Sequence, residues 1–166
     1  MAIQISSATT RDLPAIQQIA YDTWPATYDK ILSAEQTQYM LKLFYNGEVL
    51  WKQLTDGQQQ FLLASDDGWL VGFAGYEPNY NKTKATKLHK LYVLPVIQGK
   101  SVGKKLIDEV MVAAKLLDQE ALLLNVNIHN TAIGFYERLG FKIIDRVDIA
   151  IGSNYFMNDY VMQLAL

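Results

Sequence analysis

The chain has 166 residues, half of them hydrophobic and 19% charged, a length and composition typical of one domain with its own core. Its formal net charge of −2 argues against a dedicated nucleic-acid-binding protein, because such proteins are usually basic. It has no cysteine and two histidines, which excludes disulfides, thiol catalysis and a Cys- or His-rich metal site. No stretch resembles a signal peptide or a membrane span, so we expect a cytoplasmic protein, a single domain over 1–166, that binds neither membrane nor nucleic acid.

The first half of the chain predicts one strand and three helices. The strand covers Ala2–Ser7, and the helices run from about Arg11 to Trp24, from a cap at Ser33 to about Asn46, and over Glu48–Leu54. We expect Pro25 to end the first helix, because the residue before a proline disfavours helical backbone angles.

The second half predicts six strands and two helices. The strands cover Gln60–Ser65, Trp69–Tyr76, Lys87–Leu94, Ala121–Ile128, Phe141–Ile151 and Asn154–Leu166, and the helices cover Gly103–Gln119 and Thr131–Leu139. The nearly continuous apolar run of Ala121–Ile128 is typical of a parallel strand buried on both faces. A right-handed strand–helix–strand unit is therefore expected between Leu88 and Ile128.

A short loop, Gln-Gly-Lys-Ser-Val-Gly at 98–103, lies between an apolar strand and the start of a helix. Such a loop directs several backbone N–H groups at one point, at the positive end of the helix dipole. It predicts a site for phosphate or pyrophosphate; the alternative is an ordinary connection. The P-loop pattern is excluded because its first glycine would fall at Leu94, and the dinucleotide pattern Gly-x-Gly-x-x-Gly is absent.

Tyr136 lies in a second informative stretch, residues 130–141, at the start of the helix that follows the buried strand. A tyrosine that packs half in the core is the ordinary interpretation. Because the predicted phosphate loop is one strand away, a second interpretation is a general acid. A phenol stays protonated at neutral pH and can donate a proton to a leaving group.

These two stretches together resemble the GNAT superfamily of acetyl-CoA-dependent N-acetyltransferases. The first matching motif is Val93-Leu94-Pro95 followed by Gln98-x-x-Ser101-x-Gly103, in which Ser101 replaces the usual glycine. The second is Asn130, Ala132, Ile133, Phe135, Tyr136, Gly140 and Phe141. The order of elements fits this family over the whole chain, and residues 23–28 and 155–162 are similar to its PaiA-type branch, which is associated with polyamine acetylation.

The resemblance implies an α/β fold of GNAT type, with a mixed, mostly antiparallel central sheet, a splayed parallel strand pair and helices on both faces. It implies acetyl-CoA as co-substrate and no metal, with pantetheine between strands 87–94 and 121–128. The implied cofactor-binding residues are Leu91, Tyr92, Val93, Gln98, Gly99, Lys100, Ser101, Val102, Gly103, Lys104 and Asn130. Within this set the N–H of Val93 would polarise the acetyl carbonyl, and Tyr136 would protonate the departing thiolate.

The acceptor amine must lose a proton before it attacks, because an ammonium ion has no lone pair. Period-two alternation places His89 on the same strand face as Leu91 and Val93, which makes it the candidate base; a structural or solvent-facing histidine is the alternative. The candidate acceptor-binding residues are Trp24, Tyr28, Tyr76 and Glu77. Aromatic faces and a carboxylate suit a cation, although Trp24 and Tyr28 would equally pack in a core.

The function predicted from the sequence is transfer of an acetyl group from acetyl-CoA to a primary amine of a small molecule, with a polyamine as the specific candidate. The alternatives are a protein or peptide N-acetyltransferase and a non-catalytic acyl-CoA sensor. A homodimer is a further expectation if the closing strands expose Ile149, Ile151, Tyr155 and Phe156, which would otherwise be core.

Overall fold

The computed structural model describes residues 3–97 and 99–166, so Met1, Ala2 and Gln98 lie outside the described residues. Within these ranges seven strands form one sheet: β1 (Ile3–Ser7), β2 (Gln60–Asp66), β3 (Trp69–Glu77), β4 (Ala85–Val93), β5 (Ala121–Asn127), β6 (Lys142–Gly152) and β7 (Tyr155–Ala165). The helices are α1 (Leu13–Tyr28), α2 (Ala34–Tyr45), α3 (Gly47–Thr55), α4 (Val102–Leu116) and α5 (Ala132–Arg138).

The sheet has the order β1-β2-β3-β4-β5-β7-β6 and is antiparallel everywhere except between β4 and β5. Helix α4 connects these two parallel strands, as expected for a strand–helix–strand crossover. The predicted mixed, mostly antiparallel sheet with one parallel pair is therefore confirmed.

Each face of the sheet is covered by helices, which confirms the predicted layers. On one face, α4 and α5 pack on the sheet around Leu88, Leu106, Ile107, Val110, Leu122, Leu124, Tyr136 and Met162. On the other face, α1, α2 and α3 enclose Ile16, Trp24, Leu41, Leu50, Phe61, Leu63 and Phe73. Among the described residues, none of the helices combines the length and apolar character needed to cross a bilayer.

Helix α1 continues through Pro25 to Tyr28, so the predicted break at this proline is wrong. A proline inside a helix lacks an N–H donor and crowds the preceding turn. Here the following turn is intact, because the N–H of Asp29 donates to the carbonyl of Pro25 at 3.0 Å. Packing offsets the cost, since the buried Trp24 ring lies 4.7 Å from the Tyr28 ring, centroid to centroid.

The closing hairpin of β6 and β7 separates the side chains that were considered for a dimer contact. Ile149 and Phe156 are exposed, the latter to 50%. Ile151 and Tyr155 are partly buried, and the Tyr155 ring packs 5.2 Å from that of Tyr39. These side chains therefore do not form one exposed apolar face.

Candidate active site

The parallel strands β4 and β5 pair only over their first halves and then separate. Their register runs from Ala85 opposite Ala121 to Leu88 opposite Leu124. Beyond this point a cleft of about 870 Å³ opens between the strands, lined also by α1, α4 and α5. The predicted Leu91, Tyr92 and Val93 all line it, on the part of β4 beyond its pairing with β5.

The loop before α4 forms one wall of this large cleft and has an unusual backbone. Gly99 and Ser101 adopt positive φ angles of 99° and 58°, and Ser101 occupies the N-cap position of α4. Gly99, Ser101 and the first-turn residues Val102, Gly103 and Lys104 line the cleft. The first amides of a helix have no partner within it, so this wall offers N–H donors and a positive dipole end to an anion.

Two lysines near this loop are held by intramolecular carboxylates. Lys100 Nζ lies 2.9 Å from Asp66 Oδ2, and Lys104 Nζ lies 2.9 Å from Asp108 Oδ2. Arg138, on α5, also lines the cleft, and sequence reasoning missed it. It stands two residues after Tyr136, within the recognised motif, and that proximity was the signal that could have identified it.

Tyr136 lies on α5 with 9% of its surface exposed, and its side chain lines the large cleft. Its ring packs between Phe135 and Phe141, with centroids 5.3 Å and 5.7 Å away. Burial, with a smaller contribution from Tyr28, raises the pKa of the phenol, which therefore holds its proton at neutral pH. Asn130 also lines the cleft, and its Oδ1 accepts a hydrogen bond from the N–H of Ala132 at 2.8 Å.

His89 lies at a β-bulge, so the alternation assumed for it does not hold. Gly75 pairs with Lys90 while the next residue, Tyr76, pairs with Leu88, which leaves His89 as the extra residue on β4. Its Nε2 lies 2.9 Å from Glu77 Oε1. Burial lowers the pKa of His89, against the raising effect of the Glu77 hydrogen bond.

A second cleft of about 280 Å³ adjoins the first on the α1 and α2 side of the sheet. Six residues line both clefts: Tyr28, Leu88, His89, Lys90, Tyr92 and Asn125. The predicted Trp24 and Tyr28 form part of its aromatic wall, and the hydroxyls of Tyr28 and Tyr92 lie 3.3 Å apart. The indole N–H of Trp24 is buried without a hydrogen-bond partner within the described residues.

The second cleft contains three buried charged groups that sequence reasoning missed. Asp159 on β7 and Lys87 and Lys90 on β4 are 4%, 8% and 6% exposed. Burial lowers the pKa of Lys87, and it lowers that of Lys90 to about 7. The series Lys82, Lys84, Lys87 and Lys90 predicts a solvated edge, which is wrong for Lys87 and Lys90, and no local motif marks Asp159.

The other two predicted acceptor residues are not among the described residues that line the clefts. Tyr76 is buried in the core on the α4 side of the sheet. Glu77 contacts His89 and, like Tyr76, is not among the residues that line either cleft. Trp24 and Tyr28 are thus brought to the site and Tyr76 is not, whereas Glu77 reaches the site only through its contact with His89, which lines both clefts.

Comparison with known proteins gives consistent matches over almost the whole chain. The sequence profile of the acetyltransferase (GNAT) domain matches residues 28–156. The spermidine N(1)-acetyltransferase of Thermoplasma acidophilum is 30% identical over 165 residues, covering 95% of this chain and 96% of that protein.

Solved structures show the same architecture. The crystal structure of PaiA N-acetyltransferase from Thermoplasma acidophilum in complex with coenzyme A superposes with a TM-score of 0.84 at 26% identity, covering all of both chains. A GCN5-related N-acetyltransferase from Rhodopseudomonas palustris has the same TM-score at 20% identity, covering 100% of this chain and 99% of that one. At 20% identity, the similarity to the Rhodopseudomonas palustris structure supports the fold alone.

Proposed function

This chain belongs to the GNAT family of acetyl-CoA-dependent N-acetyltransferases, and we propose that it acetylates a primary amine of a small molecule with Tyr136 as general acid. The observation that carries the proposal is the position of this phenol. Tyr136 lines the large cleft opened by the separation of β4 and β5, and that cleft shares six residues with the smaller one. Two substrates bound in these clefts would meet beside a protonated phenol.

The residues of the large cleft fit a long ligand with a phosphate end. The first-turn amides of α4 and the guanidinium of Arg138 are donors for pyrophosphate or phosphate oxygens. Within residues 3–97 and 99–166, the cleft-facing edge of β4 from His89 to Val93 has no strand partner and is free to pair with an amide-bearing arm such as pantetheine. Acetyl-CoA supplies the thioester whose acetyl group passes to the amine.

Each protein group then has a defined role in the transfer. The backbone N–H of Val93 polarises the carbonyl that accepts the developing negative charge. Tyr136 holds a proton at its phenol oxygen and gives it to the departing thiolate. Asn130 orients the pantetheine arm from the opposite side of the cleft.

A polyamine is the acceptor class that we propose. The support is the similarity to the Thermoplasma spermidine N(1)-acetyltransferase over almost the full length of both chains. The second cleft is consistent with a terminal amine on a flexible chain, because it is small, at about 280 Å³, has aromatic walls and holds one buried carboxylate among its described residues.

The test is a thiol-release assay with acetyl-CoA over spermidine, spermine, diamines, amino acids and short peptides. We expect turnover with polyamines, and Tyr136→Phe should bind coenzyme A normally while losing roughly 10²-fold or more in kcat. Tyr155→Phe is the matched control, because Tyr155 lines neither cleft. An unchanged rate for Tyr136→Phe at every pH would remove this residue from the mechanism.

The other outcomes of the substrate panel separate the competing functions. Turnover with peptides alone would overturn the small-molecule acceptor. Tight binding of acetyl-CoA without turnover of any amine would overturn the enzymatic proposal in favour of an acyl-CoA sensor.

A further inference from the structure

Asp159 is a buried carboxylate in the second cleft with no role yet assigned. It lies on β7 opposite Asn127 of β5 and Val147 of β6, and only 4% of it is exposed. Among the described residues that line this cleft, it is the one acidic side chain. A buried carboxylate is costly unless it is paired, so its retention at a cleft surface calls for a functional partner.

The groups around Asp159 balance the negative charge of its carboxylate only in part. Burial raises the pKa of its carboxyl to about 6, against the lowering effects of a hydrogen bond from Asn125 and of the Lys87 ammonium. Lys87 Nζ donates to the Oδ1 atom of Asn125, and it lies 5.0 Å from the centre of the Tyr80 ring. The carboxylate is therefore near its point of half-ionisation at slightly acid pH and is stabilised by an additional cation.

We propose that Asp159 binds the ammonium group of the acceptor and takes up its proton. This inference rests on the proposed function and deepens it by naming the group that prepares the nucleophile. It also extends the candidate set beyond His89, whose Nε2 is engaged with Glu77.

The proton balance of the step is complete. An N–H bond of the ammonium breaks, the proton passes to a carboxylate oxygen of Asp159, and the nitrogen keeps the electron pair with which it attacks the acetyl carbon. The C–N bond forms, the C–S bond breaks, and the thiolate leaves with its electron pair and takes the phenol proton of Tyr136. As the tetrahedral adduct collapses to the amide, its nitrogen loses a second proton, which returns the Tyr136 phenolate to its protonated form, and the amide keeps its one remaining N–H. Asp159 releases its proton to solvent when the products leave.

The pKa of Lys90 shows how burial in this cleft affects an amine. Its partners are the neutral oxygens Gln53 Oε1 at 2.9 Å and Gln59 Oε1 at 2.7 Å, and burial lowers its pKa to about 7. Desolvation in the same cleft would also lower the pKa of an acceptor amine, against the raising effect of the Asp159 carboxylate. Because burial raises the pKa of Asp159 to about 6 at the same time, proton transfer from that amine to Asp159 is closer to balance than transfer from an amine to a carboxylate in water, where free amines have pKa values near 10.

The charges of the cleft also restrict the acceptor. Asp159 is the one carboxylate among the described residues that line this cleft, so a single cationic group can pair with it, and a second cation close by would be repelled by Lys87. The acceptor class that fits is a primary amine whose next cationic centre is separated by several carbon atoms. That next centre would then lie outside the cleft.

The first test compares Asp159→Asn with Asp148→Asn, an exposed carboxylate on the neighbouring strand β6. We expect Asp159→Asn to keep coenzyme A affinity, to lose about 10²-fold in kcat/KM for the amine, and to lose the acid limb of the pH profile near pH 6. The control should match the wild type. Wild-type turnover combined with an unchanged rate and pH profile in Asp159→Asn would overturn the inference and leave the proposed function standing.

A second test needs no turnover. N,N-dimethylbutylamine, a cation that forms no stable amide, is titrated against the wild-type protein by NMR from pH 5 to pH 8. We expect its affinity to fall up to tenfold per pH unit below about 6 as Asp159 is protonated. Equal affinity at every pH would overturn the inference whether or not an acceptor has been found.

The other titratable groups that line this cleft are Lys87, His89 and Lys90 and the tyrosines Tyr28, Tyr45, Tyr80 and Tyr92. Lys87 and Tyr28 interact electrostatically with Asp159. Of the groups that line the cleft, Lys90 loses its proton near pH 7 and so contributes a second rise in affinity above that pH. Titration of N,N-dimethylbutylamine into Lys90→Met separates the two rises in affinity, because the rise near pH 6 should persist in this variant. Its disappearance in Lys90→Met would assign the effect to Lys90 and overturn the inference.

Discussion

The buried Lys90 makes the stability of this protein depend on pH in a way that one substitution can isolate. Lys90 is 6% exposed, and its Nζ donates to two neutral amides and lies 5.2 Å and 5.9 Å from the ring centres of Phe61 and Tyr45. None of these groups supplies a full negative charge. Burial therefore dominates and lowers the pKa from 10.5 to about 7.

The sign of the effect follows from which state holds more protons. Between pH 7 and pH 10.5 the unfolded chain has a protonated Lys90 while the native protein has lost that proton. Unfolding then takes up a proton, so the free energy of unfolding rises with pH across this window. A pKa difference of about 3.5 units corresponds to roughly 5 kcal/mol over the whole window, or about 3 kcal/mol between pH 7 and pH 9.5.

Urea unfolding of the wild type and of Lys90→Met from pH 6.5 to pH 9.5 measures this contribution. Methionine keeps much of the volume but cannot titrate, so the difference between the two free energies should change by about 3 kcal/mol over the range. Loss of the donor leaves Gln59 unsatisfied, which costs about 1–3 kcal/mol at every pH and does not alter the slope. Lys52→Met, an exposed lysine on α3, is the control. Parallel profiles for the wild type and Lys90→Met would refute the reasoning.

Three further substitutions test particular contacts. Ser101→Gly relieves a left-handed backbone conformation that costs a non-glycine residue about 1–2 kcal/mol. Calorimetry should therefore show unchanged or tighter coenzyme A binding. A large loss of coenzyme A affinity would reveal a specific serine contact. Gly75→Ala would place a Cβ 2.7 Å from the buried Phe61 ring and should destabilise the protein by about 1–3 kcal/mol in thermal unfolding. Gly47→Ala, which has open space around the new Cβ, is the control and should be nearly neutral or stabilising. Equal effects of the two substitutions would contradict the packing argument. Arg138→Ala should weaken coenzyme A binding about tenfold and reduce its salt dependence, and an unaltered salt dependence would exclude a phosphate contact.

The large cleft was predictable because its signals are local in sequence. The phosphate loop and the stretch around Tyr136 are each short motifs at the start of a helix, and helix starts are recognisable from glycine, capping residues and apolar periodicity. Both motif regions line the cleft, and only Gln98 falls outside the described residues. The predicted helix over 103–119 was too long, because Asp118 adopts a positive φ of 55° and the helix ends at Leu116.

The second cleft was not predictable because no local pattern brings its charges together. Lys87 and Lys90 lie on one strand and Asp159 on another, about seventy residues later, and each looks like an ordinary polar position. The bulge at His89 adds a further error, since one extra residue changes which side chains share a face. Tyr76 was expected beside the acceptor but is buried under α4.

Gly75 links the backbone irregularity to the chemistry of the second cleft. It stands between Phe61 and Lys90 in a row across three strands, directly opposite each of them. Because glycine has no side chain, the Phe61 ring and the Gln59 oxygen occupy the space where a Cβ would lie. Lys90 can then extend over the same point to reach Gln59 and the Phe61 ring. A single missing side chain thus allows a lysine to be buried at the bulge where the two clefts meet, and the low pKa of that lysine follows from the burial.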